Sequence, residues 1–265
     1  MLDTPTYRSC PSCETTSFTP WVRYSQDDWQ VVACVSCDLT YLRNPPGHDA
    51  LKEDFAWEKT YAAKNAKSKG STVFSPFVRK LRGVLNMYRD KTQEFRHWFN
   101  DGHVLDIGCG WGQRILAPMT PYGIELSTEL HKISDAAMRE RNGYCLHGAG
   151  AEAIWEFGEA QFDGIVMFSY LEHETHVMDV LKGAHRALKP DGAVFIRVPN
   201  FGSVNRWVIG AKWCGFRYPD HVNYFTLATL TGIAKRAGFE TILVNTFTRH
   251  VDDNISVLLR KSAVP

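Results

Sequence analysis

Short apolar runs alternate with glycine-rich and helical stretches through the middle of the chain. Each run is bounded by turn residues and predicts a buried strand, at 104–107, 162–168 and 193–198. Before the third run, apolar residues recur at the spacing of one helix face, at Val177, Val180, Leu181, Ala184 and Leu188. Proline and glycine in 189–192 predict the end of that helix. Thr226 predicts the cap of a last helix ending at Gly238, and two final strands follow at 241–247 and 255–261.

Three glycines and two acids follow the first strand closely. Gly108, Gly110 and Gly112 (the glycine turn) let the chain turn sharply and bring backbone N–H groups close to a ligand. A second strand begins at residue 122 and ends at Glu125, about 20 residues after Asp106. A carboxylate at that strand end suits the two hydroxyls of a ribose. Asp106 would repel a pyrophosphate and favour a cationic ligand, so we expect a nucleotide-type pocket for a positively charged ligand.

The pattern Asp-x-Gly-x-Gly-x-Gly with a strand-end Glu resembles motif I of class I S-adenosylmethionine (SAM)-dependent methyltransferases. Further landmarks follow in order: Phe162-Asp, Leu171-Glu-His, Leu188-Lys-Pro-Asp-Gly and Val198-Pro-Asn. The resemblance covers residues 101–200 and implies an α/β fold, a Rossmann-like sheet that is mostly parallel with an antiparallel final strand. It also implies SAM as the cofactor, contacted by Asp106, Gly108, Cys109, Gly110, Glu125, Leu126, Ala151, Glu152 and Phe168. We expect Cys109 to be a small packing residue in the turn.

One landmark departs from that family. After the third strand, predicted at 144–147, the family often places an acid that holds the adenine amino group. This chain has Gly148-Ala-Gly-Ala151 and reaches an acid only at Glu152. Either the backbone of Ala151 and Glu152 contacts the adenine, or Glu152 serves as the acid, and we favour backbone contact.

Four cysteines near the amino end form two Cys-x-x-Cys pairs, at Cys10, Cys13, Cys34 and Cys37. Two such pairs at this separation can place four thiolates around one Zn²⁺. The intervening segment predicts a small hairpin, with strands at 18–24 and 29–33. Two disulfides or a redox pair are the alternatives. We favour a structural zinc in a module spanning 1–47, because so short a segment cannot build a sufficient apolar core.

The charge of this module bears on its role. Its basic residues are Arg8, Arg23 and Arg43, and its acids are Asp3, Glu14, Asp27, Asp28 and Asp38. A net negative module is poorly suited to phosphate contacts. We therefore expect a cap that braces the domain or lines the substrate mouth, and we do not expect a nucleic-acid partner.

The order of zinc ribbon, helical stretch and methyltransferase core resembles zinc-ribbon methyltransferases of bacterial sugar, surface-glycan and natural-product pathways. Members that methylate sugar carbons carry an additional large carboxyl-terminal domain, which these 265 residues do not accommodate. We therefore expect a hydroxyl group on a small molecule or glycan as the acceptor.

Two further segments are expected around the core, which we place at 101–265. The stretch 48–100 is rich in Lys, Arg and aromatics and predicts a helical lid with Tyr61 as a cofactor contact, or a homodimer interface. The stretch 201–225 is an aromatic-rich insertion at the cofactor edge. Its aromatic residues suit either the wall of a sugar or ring pocket or an apolar plug.

Three histidines are candidates for a general base that deprotonates the acceptor: His173, His176 and His221. Each is alternatively a hydrogen-bonded structural histidine. Glu172, His173 and His176 could instead gather a divalent metal, as in related quinone O-methyltransferases that use this loop.

Composition narrows the remaining classes. A net charge of +1 gives no global attraction to nucleic acid or membrane, and the 44% hydrophobic content suffices for a substantial core. The first residues lack a signal-peptide pattern, and no apolar run approaches the ~20 residues of a membrane span, so we expect a cytoplasmic protein. Hydroxyl methylation is the leading hypothesis. RNA methylation guided by the ribbon and non-catalytic SAM binding are the alternatives.

Overall fold

The computed structural model describes residues 7–46, 91–244 and 252–262. Most of the predicted lid, including Tyr61, lies outside these described residues. The lid hypothesis and the division of the chain at residues 47 and 100 therefore remain predictions.

The amino-terminal segment forms a small antiparallel sheet with a strand from much later in the chain. Its strands are β1 Phe18–Pro20, β2 Val31–Cys34, β3 Thr40–Leu42 and β9 Asn223–Tyr224, in that order. The first strand is shorter than predicted, because Pro20 has no N–H for the ladder and residues 22–24 form a 3₁₀ turn. Thr40 pairs with Tyr224 and Tyr41 with Asn223. The ribbon and the insertion therefore share one sheet.

The described residues also form a seven-stranded sheet. Its strands are β4 His103–Ile107, β5 Thr120–Glu125, β6 Cys145–His147, β7 Phe162–Phe168, β8 Leu188–Pro199, β10 Phe239–Leu243 and β11 Asn254–Lys261. The order is β10-β11-β8-β7-β4-β5-β6, and β11 runs antiparallel to both of its neighbours. The predicted mostly parallel sheet with an antiparallel final strand is confirmed.

The strand order reverses at β4. The chain runs from β4 to β5 and β6 on one side, then returns to β7 and β8 on the other. In an open α/β sheet, ligands bind beside the carboxyl ends of the strands at such a reversal. The glycine turn follows β4 directly, so the fold places it at this position.

Helices flank the sheet at α1 Lys91–Phe99, α2 Thr128–Arg139, α3 Gly150–Ala153, α4 Val177–Ala187, α5 Val204–Ile209 and α6 Leu227–Arg236. The predicted apolar residues of α4, Val177, Val180, Leu181 and Ala184, are buried in the main core, whereas Leu188, predicted on the same helix face, begins β8. Thr226 caps α6 through reciprocal hydrogen bonds with Thr229, as predicted. Among the described residues, no helix has the length and apolar character needed to cross a bilayer.

Strand β8 starts five residues earlier than predicted. Phe162 pairs with Leu188 and, after a bulge, Gly164 pairs with Ala193, so residues 188–192 extend the strand instead of forming a separate turn. Strand β10 also begins two residues early, at Phe239, because Phe239 pairs with Lys261. Residues 245–247 of that predicted strand lie outside the described part of the chain.

Candidate active site

The glycine turn is held against the second strand by backbone and side-chain hydrogen bonds. Gly108, Gly110 and Gly112 all have positive φ, between 57° and 70°. The Gly110 N–H donates to Glu125 Oε2 at 2.8 Å, and the Ser127 N–H donates to Glu125 Oε1 at 2.9 Å. A Cβ on Gly110 would meet no atom within 4 Å. The turn therefore borders open space beside a carboxylate, the arrangement that a ribose-bearing ligand requires.

Asp106 lies behind this turn and is fully buried. Arg114 Nη1 donates to both of its carboxylate oxygens at 3.0 Å. Burial raises the pKa of Asp106 to about 6 against the lowering effect of Arg114. A buried acid with one partly exposed cation beside it favours positive charge in its surroundings, which agrees with the predicted contact to a cationic ligand.

Tyr170 closes the other side of the turn. A Cβ at Gly108 would come within 2.8 Å of the Tyr170 ring, and a Cβ at Gly150 within 2.2 Å of its hydroxyl. That hydroxyl donates to Glu174. The loop after β7 therefore packs directly against both the glycine turn and the start of α3.

The other predicted cofactor residues surround this region. Ala151 and Glu152 both lie in α3. Ala151 is buried, and the Glu152 side chain is exposed with no hydrogen-bond partner among the described residues. The Leu126 carbonyl accepts from His147, and Phe168 ends β7.

The Cys109 sulfur lies 3.6 Å from that of Cys145, and this hydrogen bond together with burial raises the pKa of the Cys109 thiol. A neutral, buried thiol is suited to packing. None of these positions has been tested for cofactor contact, so they remain predictions.

Two of the three candidate histidines meet in one cluster. The rings of His173 and His221 are edge to face with centroids 4.7 Å apart. His173 Nδ1 lies 2.8 Å from the Asp220 carbonyl oxygen and 3.0 Å from Asp220 Oδ1. His221 Nδ1 lies 2.8 Å from the Gly215 carbonyl oxygen. We call Glu172, His173, Asp220 and His221 the histidine cluster.

The hydrogen bonds fix the tautomers of both rings. Because each Nδ1 faces oxygen acceptors, it carries the proton and leaves Nε2 as the basic nitrogen of the neutral ring. His221 is almost fully buried, whereas the side chain of His173 remains 26% exposed. His173 is therefore the member of the cluster that an acceptor from solvent can reach.

The two rings differ in basicity. Burial would lower the pKa of His173, but the Asp220 hydrogen bond and the charges of Glu172 and Asp220 outweigh it and raise the pKa. Burial and the neighbouring His173 and Arg217 lower the pKa of His221 to about 3. Burial opposes ionisation of Asp220, yet its contacts with His173 and Arg217 hold its pKa at about 2. The cluster thus pairs a basic imidazole with an ionised carboxylate.

The third candidate, His176, lies apart from the cluster. It precedes α4 with a side chain that is 61% exposed, and its Nδ1 is 3.7 Å from Asp179. The ligand atoms of Glu172, His173 and His221 instead lie within 4.8 Å of one another. Glu172 Oε2 is buried without a hydrogen-bond partner among the described residues. A metal ion at this loop would therefore use His221 in place of His176.

The four amino-terminal cysteines form a separate cluster, the cysteine cluster. The Cys10 and Cys37 sulfurs lie 3.6 Å apart, the Cys13 and Cys34 sulfurs 3.5 Å apart, and all four lie within 4.8 Å of one another. None is in a disulfide. Four sulfurs at ~2.3 Å from one Zn²⁺ would lie roughly 3.8 Å from one another. The cysteine cluster fits a tetrahedral zinc site.

The insertion forms an apolar core with the ribbon. Aromatic rings from both segments pack together and belong to Tyr24, Phe201, Trp213, Phe216, Tyr218 and Tyr224. Trp213 and Phe201 are buried, whereas Trp207 is 64% exposed. These contacts favour the plug over the open aromatic wall, and among the described residues the ribbon is its packing partner.

A Rossmann-like sheet, a glycine turn at its reversal point and a strand-end acid define a nucleotide-cofactor protein of the methyltransferase type. The family of the methyltransferase domain matches residues 78–244. This match spans more than half of the chain, and the chain belongs to that family.

Several known proteins are similar to this chain. The ubiquinone biosynthesis O-methyltransferase of Pseudomonas putida is 23% identical over 222 residues, spanning 68% of this chain and 91% of that enzyme. An uncharacterized protein of Methanocaldococcus jannaschii is 26% identical over 151 residues. The match covers 57% of this chain and 55% of that protein. The crystal structure of a SAM-dependent methyltransferase from Archaeoglobus fulgidus shares the fold with a TM-score of 0.50, 15% identity, and coverage of 72% of this chain and 100% of that one.

Several residues of the site carried no role in the sequence-based hypothesis. In the sequence, Asp220 is one residue of the aromatic insertion. Arg114 lies eight positions after Asp106 and belongs to no recognised motif. Asp220 reaches His173 across 47 positions. The acid beside a candidate histidine is a recognisable signal, but only the folded chain shows which acid faces which ring.

Proposed function

We propose that this methyltransferase transfers a methyl group from SAM to a hydroxyl of a small molecule or glycan, with His173 as the general base. The observation that carries the proposal is the hydrogen bond from His173 Nδ1 to Asp220, which leaves Nε2 as the basic nitrogen of a side chain that is 26% exposed. SAM supplies an already activated methyl group, so the protein must position the acceptor and remove its proton.

The cofactor side of the proposal rests on the glycine turn and its acids. Asp106 favours a cationic group, Glu125 has lone pairs left for ribose hydroxyls, and the space at Gly110 admits a ligand. The residues present thus fit SAM. On the adenine side we keep backbone contact at Ala151 and Glu152, since the exposed Glu152 side chain shows no described partner that would hold it in place.

The ribbon completes the proposal as a structural zinc module. Cys10, Cys13, Cys34 and Cys37 would hold the ion, and its binding would supply folding energy to a segment too short to build a sufficient core by itself. Arg8 donates to backbone carbonyls of Thr175 and Val222, so the ribbon braces the loop that carries His173. Arg8 thus faces the protein, which leaves fewer basic groups for an RNA and disfavours the ribbon as an RNA guide.

Methyl transfer from labelled SAM tests the proposal. The purified full chain is incubated with SAM carrying a radiolabelled methyl group and an extract separated into small-molecule, glycan and RNA fractions. We expect label in the small-molecule or glycan fraction and, in His173→Gln, a fall of about 10²- to 10⁴-fold in rate. His176→Gln is the matched control and keeps its rate.

Each other outcome contradicts a stated part of the proposal. Label in the RNA fraction would replace the acceptor class with RNA. SAM binding without label in any fraction would make the protein a non-catalytic SAM binder. A His173→Gln variant that retains its rate would remove the proposed base.

A further inference from the structure

One arginine at the carboxyl edge of the sheet forms no ion pair with an acid in the described part of the chain. Arg197 lies near the end of β8, and its Cα pairs with that of Phe168 at the end of β7. Alternation along the strands places Arg197, Phe195 and Phe168 on the same face. The Arg197 carbonyl accepts from the N–H of Ser169, the first residue of the loop that carries His173. The backbone of Arg197 is therefore hydrogen-bonded to the start of the loop that carries the proposed base.

The charge of Arg197 is partly buried. Burial lowers its pKa, while the charges of Asp252 and Glu172 act in the opposite direction. Within the described part of the chain, no carboxylate forms an ion pair with it and no side-chain hydrogen bond engages its guanidinium. Other arginines of the site are paired, Arg114 with Asp106 and Arg217 with Asp220. A partly buried cation without a partner is costly unless a ligand supplies the opposite charge.

Stacking on Phe168 orders the unpaired guanidinium. The Arg197 guanidinium carbon lies 4.8 Å from the ring centroid of Phe168, and that of Arg114 lies 4.7 Å from the same centroid. Arg114 is already bound to Asp106. A stacked guanidinium keeps its N–H groups in its own plane, where they can donate in parallel to two oxygens of one planar anion.

We propose that Arg197 binds a carboxylate on the acceptor, so that the substrates of this enzyme are hydroxy acids. One uncommitted guanidinium balances one negative charge, and the acids Glu172 and Asp252 nearby disfavour a doubly charged phosphate. The inference rests on the proposed function for the hydroxyl. The carboxylate subsite itself requires only Arg197 and its surroundings.

Binding of matched acid and amide probes tests this subsite. The full chain, saturated with S-adenosylhomocysteine, is titrated calorimetrically with two pairs: glucuronate and glucuronamide, and 3,4-dihydroxybenzoate and 3,4-dihydroxybenzamide. We expect the acid to bind at least about tenfold more tightly than its amide in one pair or both. Arg197→Gln should abolish this preference, and Arg197→Lys should retain part of it because the charge remains without the planar fork.

The control is Arg260→Gln, an exposed arginine on β11 that should leave the preference unchanged. Unfolding temperature and S-adenosylhomocysteine affinity verify that each variant is folded. Equal binding of acids and amides in both pairs, or a preference that survives Arg197→Gln, would overturn the proposal. Glucose 6-phosphate binding more tightly than either acid, and only with Arg197 present, would replace the carboxylate with a phosphate.

These measurements do not require turnover. If Arg197 selects acids but the protein methylates nothing, the carboxylate subsite stands and the proposed function fails. If methyl transfer occurs and the Arg197→Gln variant still prefers the acid as the wild type does, the proposed function stands and the carboxylate subsite at Arg197 fails.

Discussion

The proposed cofactor side, around the glycine turn, and the proposed acceptor side, around the histidine cluster, differ in how far apart along the chain their contacting residues lie. Gly110 and Glu125 are 15 positions apart, and Asp106 and Arg114 are eight apart. On the acceptor side, His173 meets Asp220 from 47 positions away, and Arg8 contacts Asn223 across 215 positions. The cofactor side needs two consecutive strands, whereas the acceptor side needs three separate segments to dock. The two sides should therefore respond differently to the same damage.

Loss of the zinc site should separate the two sides most strongly. Cys34→Ser removes one of four predicted ligands, and zinc binding supplies about 10–16 kcal/mol of folding free energy in small zinc domains. We expect the ribbon to unfold, β9 to lose its partner β3, and methyl transfer to fall at least about 100-fold, while SAM affinity changes less than about threefold. Metal analysis, transfer assays and calorimetry measure these three quantities. Cys214→Ser, at an exposed cysteine outside the cluster, is the matched control. A parallel loss of SAM affinity would show that the two sides are not independent.

Damage to the cofactor side should give the reverse pattern. Glu125→Ala removes the acceptor of the Gly110 and Ser127 N–H groups and the expected ribose contact. Hydrogen bonds to a charged group contribute about 1.5–3 kcal/mol, so SAM affinity should fall about 10- to 150-fold. Zinc content and the unfolding of the ribbon should not change.

Glu129→Ala is the control for this experiment, since Glu129 lies on the exposed face of α2 and bonds Lys132. Calorimetric titration with SAM gives the affinity of each variant. A Glu125→Ala protein with wild-type affinity would contradict the assigned role of the strand-end acid.

The smallest expected effect concerns the pH dependence of the acceptor side. The base must be neutral, so the rate should rise with pH through the pKa of His173. Burial would lower that pKa, but the hydrogen bond and charge of Asp220 help to raise it. Asp220→Asn removes the negative charge, weakens proton binding, and should move the acidic limb of the rate profile to lower pH. Rates measured from pH 5 to 9 test the direction, and a limb that stays in place or moves to higher pH would contradict it.

The same difference explains which parts of the molecule could be predicted from sequence. The main strands, the capped helix α6 and the glycine turn follow from periodicity and local spacing, and the structure confirms the mostly parallel sheet that was predicted. The clustering of the four cysteines could also be predicted, from the spacing of the two Cys-x-x-Cys pairs. All of these features depend on residues that are close in sequence or on a repeated motif.

The histidine cluster and the ribbon contacts could not be predicted in the same way. His173, His176 and His221 are all candidates by their position on loops, and tertiary packing separates the exposed His176 from the two clustered rings. Arg197 reads in the sequence as one residue of an apolar strand. That it forms no ion pair with the described acids is known only once the neighbouring strands are in place.

The pairing of β3 with β9 also has a consequence for synthesis on the ribosome. The partners of Arg8 and of β3 emerge more than 200 residues after Arg8, since Arg8 and Asn223 are 215 positions apart. At translation rates of about 5–20 residues per second, this delay is on the order of 10–40 s. During that time the outer edge of β3 has no strand to pair with. Its unpaired N–H and C=O groups could then pair with strands of other nascent chains. Early metal capture by the cysteine cluster would shorten the period in which the whole ribbon is unfolded, but the exposed edge would remain until β9 arrives.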